Sequence, residues 1–177
     1  MRGSYPAVRC IMTRVDLIEP SAHAGQELGQ NPDQNPDQNL VRAGGRWAIA
    51  PCGDCLPGDL VAFIPAGSRL TPWLLERLRL WDGVRGRGLL GGECGNRVLS
   101  FMDQGRTVEG ILYPAQLCDA EDEIYGDPYT FHAISVDPRR YGVAGIVVRD
   151  GDDVAHWLGI EPLCESADGV SDRGTTC

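Results

Sequence analysis

The chain of 177 residues contains no lysine: all sixteen of its basic side chains are arginine. Chemistry that starts at an ε-amino group is therefore excluded, because a guanidinium stays protonated near neutral pH and is no nucleophile. A phosphate-cradling loop of the Gly-x-x-x-x-Gly-Lys kind is excluded on the same ground. Gly-x-Ser-x-Gly is also missing, and none of the three histidines stands beside a plausible nucleophile. No apolar run approaches the ~20 residues of a membrane span. The opening Met1-Arg2-Gly3-Ser4-Tyr5-Pro6 carries no signal-peptide core. The expected compartment is the cytoplasm, with no membrane partner.

Cysteine is plentiful by contrast. The seven stand at positions 10, 52, 55, 94, 118, 164 and 177, an odd number at irregular spacing. A secreted disulfide framework shows an even count in a shorter chain, so reduced thiols acting partly as small core hydrophobes are expected. Cys52-x-x-Cys55 lacks the second pair that a zinc site needs, and it lacks the βαβ surroundings of a redox pair. An inert turn is the reading, with no metal site and no cofactor. Asp152-Asp153 and Glu121-Asp122-Glu123 are read as solvated acids, not Mg²⁺ ligands.

The net charge of −9 speaks against polyanions until its distribution is read. From Arg69 to Arg106 seven arginines face four acidic residues, a net of +3. From Thr107 onward the net is −10, and before Arg69 it is −2. A basic middle beside an acidic last third suits one polyanion-facing surface.

With 23 glycines and 12 prolines, short strands and many turns are favoured over a helical bundle. Strands are expected at Val8–Val15, Leu40–Arg42, Arg46–Ala50, Leu60–Pro65, Arg97–Met102 and Val108–Tyr113. Thr130–Val136 and Val143–Val148 read as an added strand pair. Thr71 and Pro72 open a short helix through Leu78. A second helix is expected over Asp152–Gly159. Gly83–Gly95, with six glycines, reads as a flexible loop, and the acidic Asp119–Asp127 as a solvated stretch. The polar tandem Asn31-Pro32-Asp33-Gln34-Asn35-Pro36-Asp37-Gln38 marks a mobile insertion over 21–39. The expected organisation is one domain over 1–165, with a further insertion over 115–149 and a disordered tail over 166–177. This is a mainly β chain. A small OB-like Greek-key barrel with short helices and surface insertions fits it, and a sandwich or SH3-like barrel has the same signature.

Four stretches carry a resemblance. They are Met12-Thr13-Arg14-Val15-Asp16-Leu17-Ile18-Glu19-Pro20; Gly45-Arg46-Trp47-Ala48-Ile49-Ala50 with Pro57-Gly58-Asp59-Leu60-Val61-Ala62-Phe63-Ile64-Pro65-Ala66-Gly67-Ser68-Arg69-Leu70; the pair Asn96–Phe101 and Glu109–Pro114; and Gly151–Pro162. In order and spacing they resemble the N-terminal OB-type module of bacterial and phage RNA ligases, over about half the chain. The resemblance implies the OB-like barrel and contact with single-stranded RNA or RNA ends. Those ligases carry AMP on a lysine of Lys-x-Asp-Gly in a separate nucleotidyltransferase domain. This chain has no such motif, so a non-catalytic RNA-binding module is the expected function. The alternatives are a detached ligase fragment working with a separately encoded catalytic subunit, and a protein-interaction module on the same barrel. Barrels of this kind bind through a basic groove and aromatic stacking. Arg46, Trp47, Arg69, Arg97 and Arg106 are the candidate contacts, with Trp47 equally open to a core role. No catalytic residue is expected.

Overall fold

The computed structural model describes residues 9–20, 39–51 and 55–160. The expected insertion over 21–39, save Asn39, lies outside these residues, as do Cys52 and the expected tail over 166–177. The described protein is mainly β. In chain order the elements are β1 (Ile11–Pro20), β2 (Asn39–Ala43), β3 (Arg46–Ala50), β4 (Leu60–Pro65), α1 (Pro72–Arg77), β5 (Trp81–Asp82) and β6 (Arg87–Gly88). There follow β7 (Phe101–Asp103), β8 (Arg106–Pro114), β9 (Gln116–Glu121), β10 (Pro128–Ser135), α2 (Pro138–Tyr141) and β11 (Gly145–Val148).

The largest sheet runs β3-β2-β1-β4-β8-β7, and β3 also pairs with β8. That last pairing is parallel and irregular, resting on Trp47 with Val108 and Ile49 with Ile111. β1 serves two neighbours: Ile11–Arg14 pair with β4, and Val15–Pro20 pair with β2. The register shifts between Val15 and Leu17, a bulge that bends the strand from one partner to the other. At the β2–β3 turn Gly44 adopts φ +56°, and a Cβ there would sit 2.7 Å from Thr13 Oγ1. Glycine avoids both the strain of that conformation and the crowding against Thr13.

Alternation along the strands sorts the core into two sides. Leu60, Ala62 and Ile64 of β4 join a large cluster with Met12, Leu40, Ile49, Ile111 and the α1 leucines. Val61 and Phe63 join a smaller one with Val15, Val41, Ala43, Ala48, Ala50 and Leu112. Both sides of β4 are therefore covered, which is why Leu60-Val61-Ala62-Phe63-Ile64 is an unbroken apolar run. α1 starts as its sequence dictates: Thr71 caps it by accepting from the Leu74 N–H at 3.3 Å, and Pro72 occupies the first turn. Leu74 and Leu75 are buried beneath it. A second sheet, β11-β10-β9, is held to the same core through Ile134, Val136 and Val148. The Tyr113 hydroxyl donates to the Ser135 carbonyl at 3.1 Å.

Several expectations are corrected. The first strand continues to Pro20, because Leu17–Pro20 find partners in β2. The expected strand over Arg97–Met102 shrinks to Phe101–Asp103, and Arg97 makes only isolated bridges. The 83–95 region is ordered by pairing, not left as a free loop. β5 pairs with β6, the Gly88 N–H donates to the Cys94 carbonyl at 2.9 Å, and the Leu90 N–H donates to the Gly95 carbonyl at 2.8 Å. Its glycines serve close backbone approach as well as turning. The acidic Asp119–Asp127 is largely exposed as expected, but its first three residues, Asp119–Glu121, lie in β9. The helix expected over Asp152–Gly159 is absent. The segment makes a bridge from Asp153 to Ile11, then one turn that ends at Gly159 with φ +65°. Asp153 Oδ1 accepts from the N–H groups of Cys10 and Ala155, so the acid serves local backbone in place of starting a helix. The short α2, capped by Asp137, was not expected from the sequence.

The thiols depart from expectation in one place. Cys10 and Cys118 are free, and burial followed by the Asp153 charge pushes the Cys10 thiol far up, which makes it inert. Cys94 is disulfide-bonded, contrary to the expectation of reduced thiols, since sequence spacing does not report spatial proximity. Cys55 is buried in the smaller core cluster.

Candidate nucleic-acid interface

The five candidate residues fall into two groups. The first is built on β3 and β8, where Trp47 lies beside Val108 in the parallel register. Trp47 is half-buried against the large core cluster. One face of its ring is covered by the Arg106 guanidinium, whose carbon is 4.3 Å from the ring centroid. Arg106 is in turn held by Glu19 of β1, with Nη2 donating to Oε1 at 3.1 Å and Nη1 donating to Oε2. Arg46 repeats the scheme: it lies 4.2 Å over the Phe63 ring and pairs with Glu109 at 3.5 Å. Both cations of this group already face a carboxylate and an aromatic ring. The Arg46–Glu109 pair, with both side chains nearly half exposed, contributes little stability, on the order of 0–1 kcal/mol, so phosphate can replace that carboxylate at low cost. The two-bond Arg106–Glu19 pair is held more firmly.

The second group is Arg69 and Arg97. They form an isolated antiparallel bridge between segments far apart in the chain. The flanking bonds run from the Val98 N–H to the Ser68 carbonyl and from the Leu70 N–H to the Asn96 carbonyl, both 2.9 Å. This pattern makes Arg69 and Arg97 a non-hydrogen-bonded pair, the closer kind, with side chains on the same face. Ser68 anchors the strap from beneath: it is fully buried and its hydroxyl donates to the Pro65 carbonyl at 2.7 Å. Among the described residues, neither arginine has an ion pair. Two like charges directly opposite each other disfavour the fold. They leave a strongly donating, uncompensated edge that an anion would relieve.

A feature the sequence reading missed lies where β1 and β4 meet the second sheet. A cleft of about 460 Å³ opens between Arg14 and Leu60 on one wall and β10 and the end of β11 on the other. Tyr129 and Phe131 line it, with ring centroids 6.1 Å apart. The Tyr-x-Phe alternation inside a strand was the available signal, and the expected strand at Thr130 began one residue too late to register it.

Among the described residues no group of three or more His, Cys, Asp or Glu side chains is placed to hold a metal ion. Asp122 braces a turn instead, since its carboxylate accepts from the Tyr125 and Ile124 N–H groups, which lowers its pKa. No described helix is long and apolar enough to cross a membrane.

No protein-family model matches the chain, and no curated protein resembles it in sequence. Among solved structures it is similar to RNA ligase from Naegleria gruberi. With a lysine-to-alanine mutant without ligand the TM-score is 0.46 at 16% identity, covering 88% of this chain and 35% of that one. With a lysine-to-methionine mutant bearing AMP and Mn the values are 0.45 and 16%, over 86% and 34%. With the ligase bearing PPi they are 0.44 and 17%, over 90% and 37%. The chain spans about a third of the length of those structures.

Proposed function

We propose that this chain is a non-catalytic RNA-binding module related to the N-terminal domain of RNA ligases. We read β1-β2-β3-β8-β4 as an OB-like Greek-key barrel and residues 115–149 as an insertion that adds the second sheet. The observation that carries the functional reading is the Arg69–Arg97 bridge, two guanidiniums set side by side by long-range backbone pairing and without an ion pair among the described residues. Planar guanidiniums grip phosphate through paired N–H donors. Arg46, Trp47 and Arg106 flank this edge as a secondary group whose cations exchange Glu109 and Glu19 for phosphate.

The test is a titration of single-stranded RNA of about ten nucleotides, within the site size of one such barrel, at rising salt. Each phosphate contact adds about 0.7 to the downward slope of log affinity against log salt. Replacing Arg69 and Arg97 together by Ala is expected to weaken binding and flatten the slope by about 1.4. Arg46→Ala and Arg106→Ala are expected to do less. If RNA and single-stranded DNA both fail to bind at low salt, the reading is wrong.

Exposed Leu117, Ile124 and Tyr125, within or beside the acidic stretch, favour a second reading, a protein-interaction module. It predicts no RNA binding at any salt. A catalytic ligase fragment is separated from both by incubation with labelled ATP and Mg²⁺. No acid-stable adenylate is expected on this chain, because it has no lysine on which to form one.

A further inference from the structure

The cleft beside β10 has the makings of a second contact for the same strand. β11 stops pairing at Val148, opposite His132, and the chain then crosses to β1, where the Gly151 N–H donates to the Met12 carbonyl at 2.8 Å. Pro128–Phe131 of β10 therefore have β9 on one side and, among the described residues, no strand on the other. Tyr129 and Phe131, two positions apart, project from the same face of the sheet. Their neighbours on that face are small, Ala120 opposite Tyr129 and Cys118 opposite Phe131. The acids of β9 are on the reverse face, Asp119 opposite Thr130 and Glu121 opposite Pro128. Tyr129 is 51% exposed.

The surroundings supply cations. Arg14 and Arg149 are exposed on the cleft wall, and among the described residues neither has an ion pair. Arg14 Nη1 donates to the Gly58 carbonyl at 2.9 Å, which fixes the guanidinium and leaves its other N–H groups available. Asp150 adds one acceptor for a ribose hydroxyl or a base amino group. Aromatics spaced along one face of a strand, with arginine at the margin, match the requirements of unstacked bases and their backbone.

We propose that this cleft binds two successive nucleotides of single-stranded RNA, with one base on Tyr129, the next on Phe131, and the phosphate on Arg14 and Arg149. The assignment extends the RNA-module reading and rests on it. The cleft shares no lining residue with the Arg69–Arg97 edge, so the two are separable by substitution.

The experiment titrates the whole chain with a 5′-phosphorylated uridine dinucleotide and with the longer RNA. Tyr129→Ala and Phe131→Ala are each expected to weaken dinucleotide binding about tenfold, and Arg149→Ala also to weaken it, whereas Tyr129→Phe retains the affinity. Arg69→Ala with Arg97→Ala is expected to weaken binding of the longer strand more than of the dinucleotide. An unchanged melting temperature confirms the fold of Tyr129→Ala, whose side chain is half-exposed, and that variant decides the matter should Phe131→Ala misfold. Dinucleotide binding that is absent in the native protein at low salt, or undiminished in Tyr129→Ala, overturns the cleft proposal even when the longer RNA binds. Dinucleotide binding that is lost in Tyr129→Ala, with a longer-strand affinity indifferent to Arg69 and Arg97, supports the cleft and overturns the arginine edge.

Discussion

Trp47→Ala is expected to lower stability by about 2–4 kcal/mol, and to leave RNA affinity per folded molecule nearly unchanged. Truncating a fully buried tryptophan costs roughly 3–5 kcal/mol, and this ring, half-buried against the large cluster, falls toward the lower end. The loss has two sources. Apolar contacts with the core vanish, and Arg106, which lies 4.3 Å over the ring, loses the face that orients it toward Glu19. In a domain of this size each kcal/mol moves Tm by roughly 2–4 °C, so a fall on the order of 10 °C is expected. Thermal or urea unfolding measured beside an RNA titration checks this. A variant as stable as the native chain that binds RNA tenfold more weakly would return Trp47 to the role of a stacking platform.

The second large effect is expected at Gly95. Its φ is +64°, and a Cβ there would meet the Gly88 carbonyl oxygen at 1.9 Å and its carbon at 2.5 Å. Both obstacles are backbone, so no side-chain rotation relieves them. The left-handed conformation and the overpacking each cost roughly 1–3 kcal/mol. Gly95→Ala is therefore expected to destabilise the protein by about 3 kcal/mol or more, or to force the 88–95 segment apart. That segment sets Gly91 against Arg97, with mutual N–H to carbonyl bonds of 3.0 and 2.9 Å. RNA binding and its salt slope should fall with it. Gly105→Ala is the control: its φ is +78° but nothing lies within 4 Å of a Cβ. It should lose only the contribution of the backbone conformation, about 1 kcal/mol. Equal losses at the two positions would mean that the Gly88–Gly95 approach contributes nothing.

Much of the main sheet was legible along the chain. Gly44-Gly45 between two apolar runs announced the β2–β3 turn, and Thr71-Pro72 announced the start of α1, because caps and tight turns are decided by residues next to one another. The same local logic failed at Asp152-Asp153. Acids there looked like a helix start, yet Asp153 accepts from the distant Cys10 N–H, and a long-range contact outweighed the local preference. It failed again at 83–95, where glycines required for the backbone contact between Gly88 and Gly95 look the same in sequence as glycines of a loose loop.

The candidate interface was legible in composition but not in arrangement. Arg69, Arg97 and Arg106 stand in one basic stretch and Arg46 on a strand before it, and nothing in their spacing tells them apart. Only the fold sets Glu19 against Arg106 and Glu109 against Arg46 while leaving Arg69 and Arg97 facing each other. The Tyr129–Phe131 cleft was likewise hidden, since its other wall comes from Arg14 and Leu60, far earlier in the chain.

By itself the sequence determined what chemistry this chain lacks and the kind of structure it forms. Without lysine there is no adenylate carrier, and alternating apolar runs parted by glycine and proline make strands; both follow from residue identity and short-range sterics. Among the described residues, the tertiary structure alone decided which arginines keep a carboxylate partner, which two stand side by side without one, and where two aromatic rings meet an open strand edge. Those outcomes depend on strand register and on contacts between residues far apart in sequence, whose energies exist only once the chain has folded.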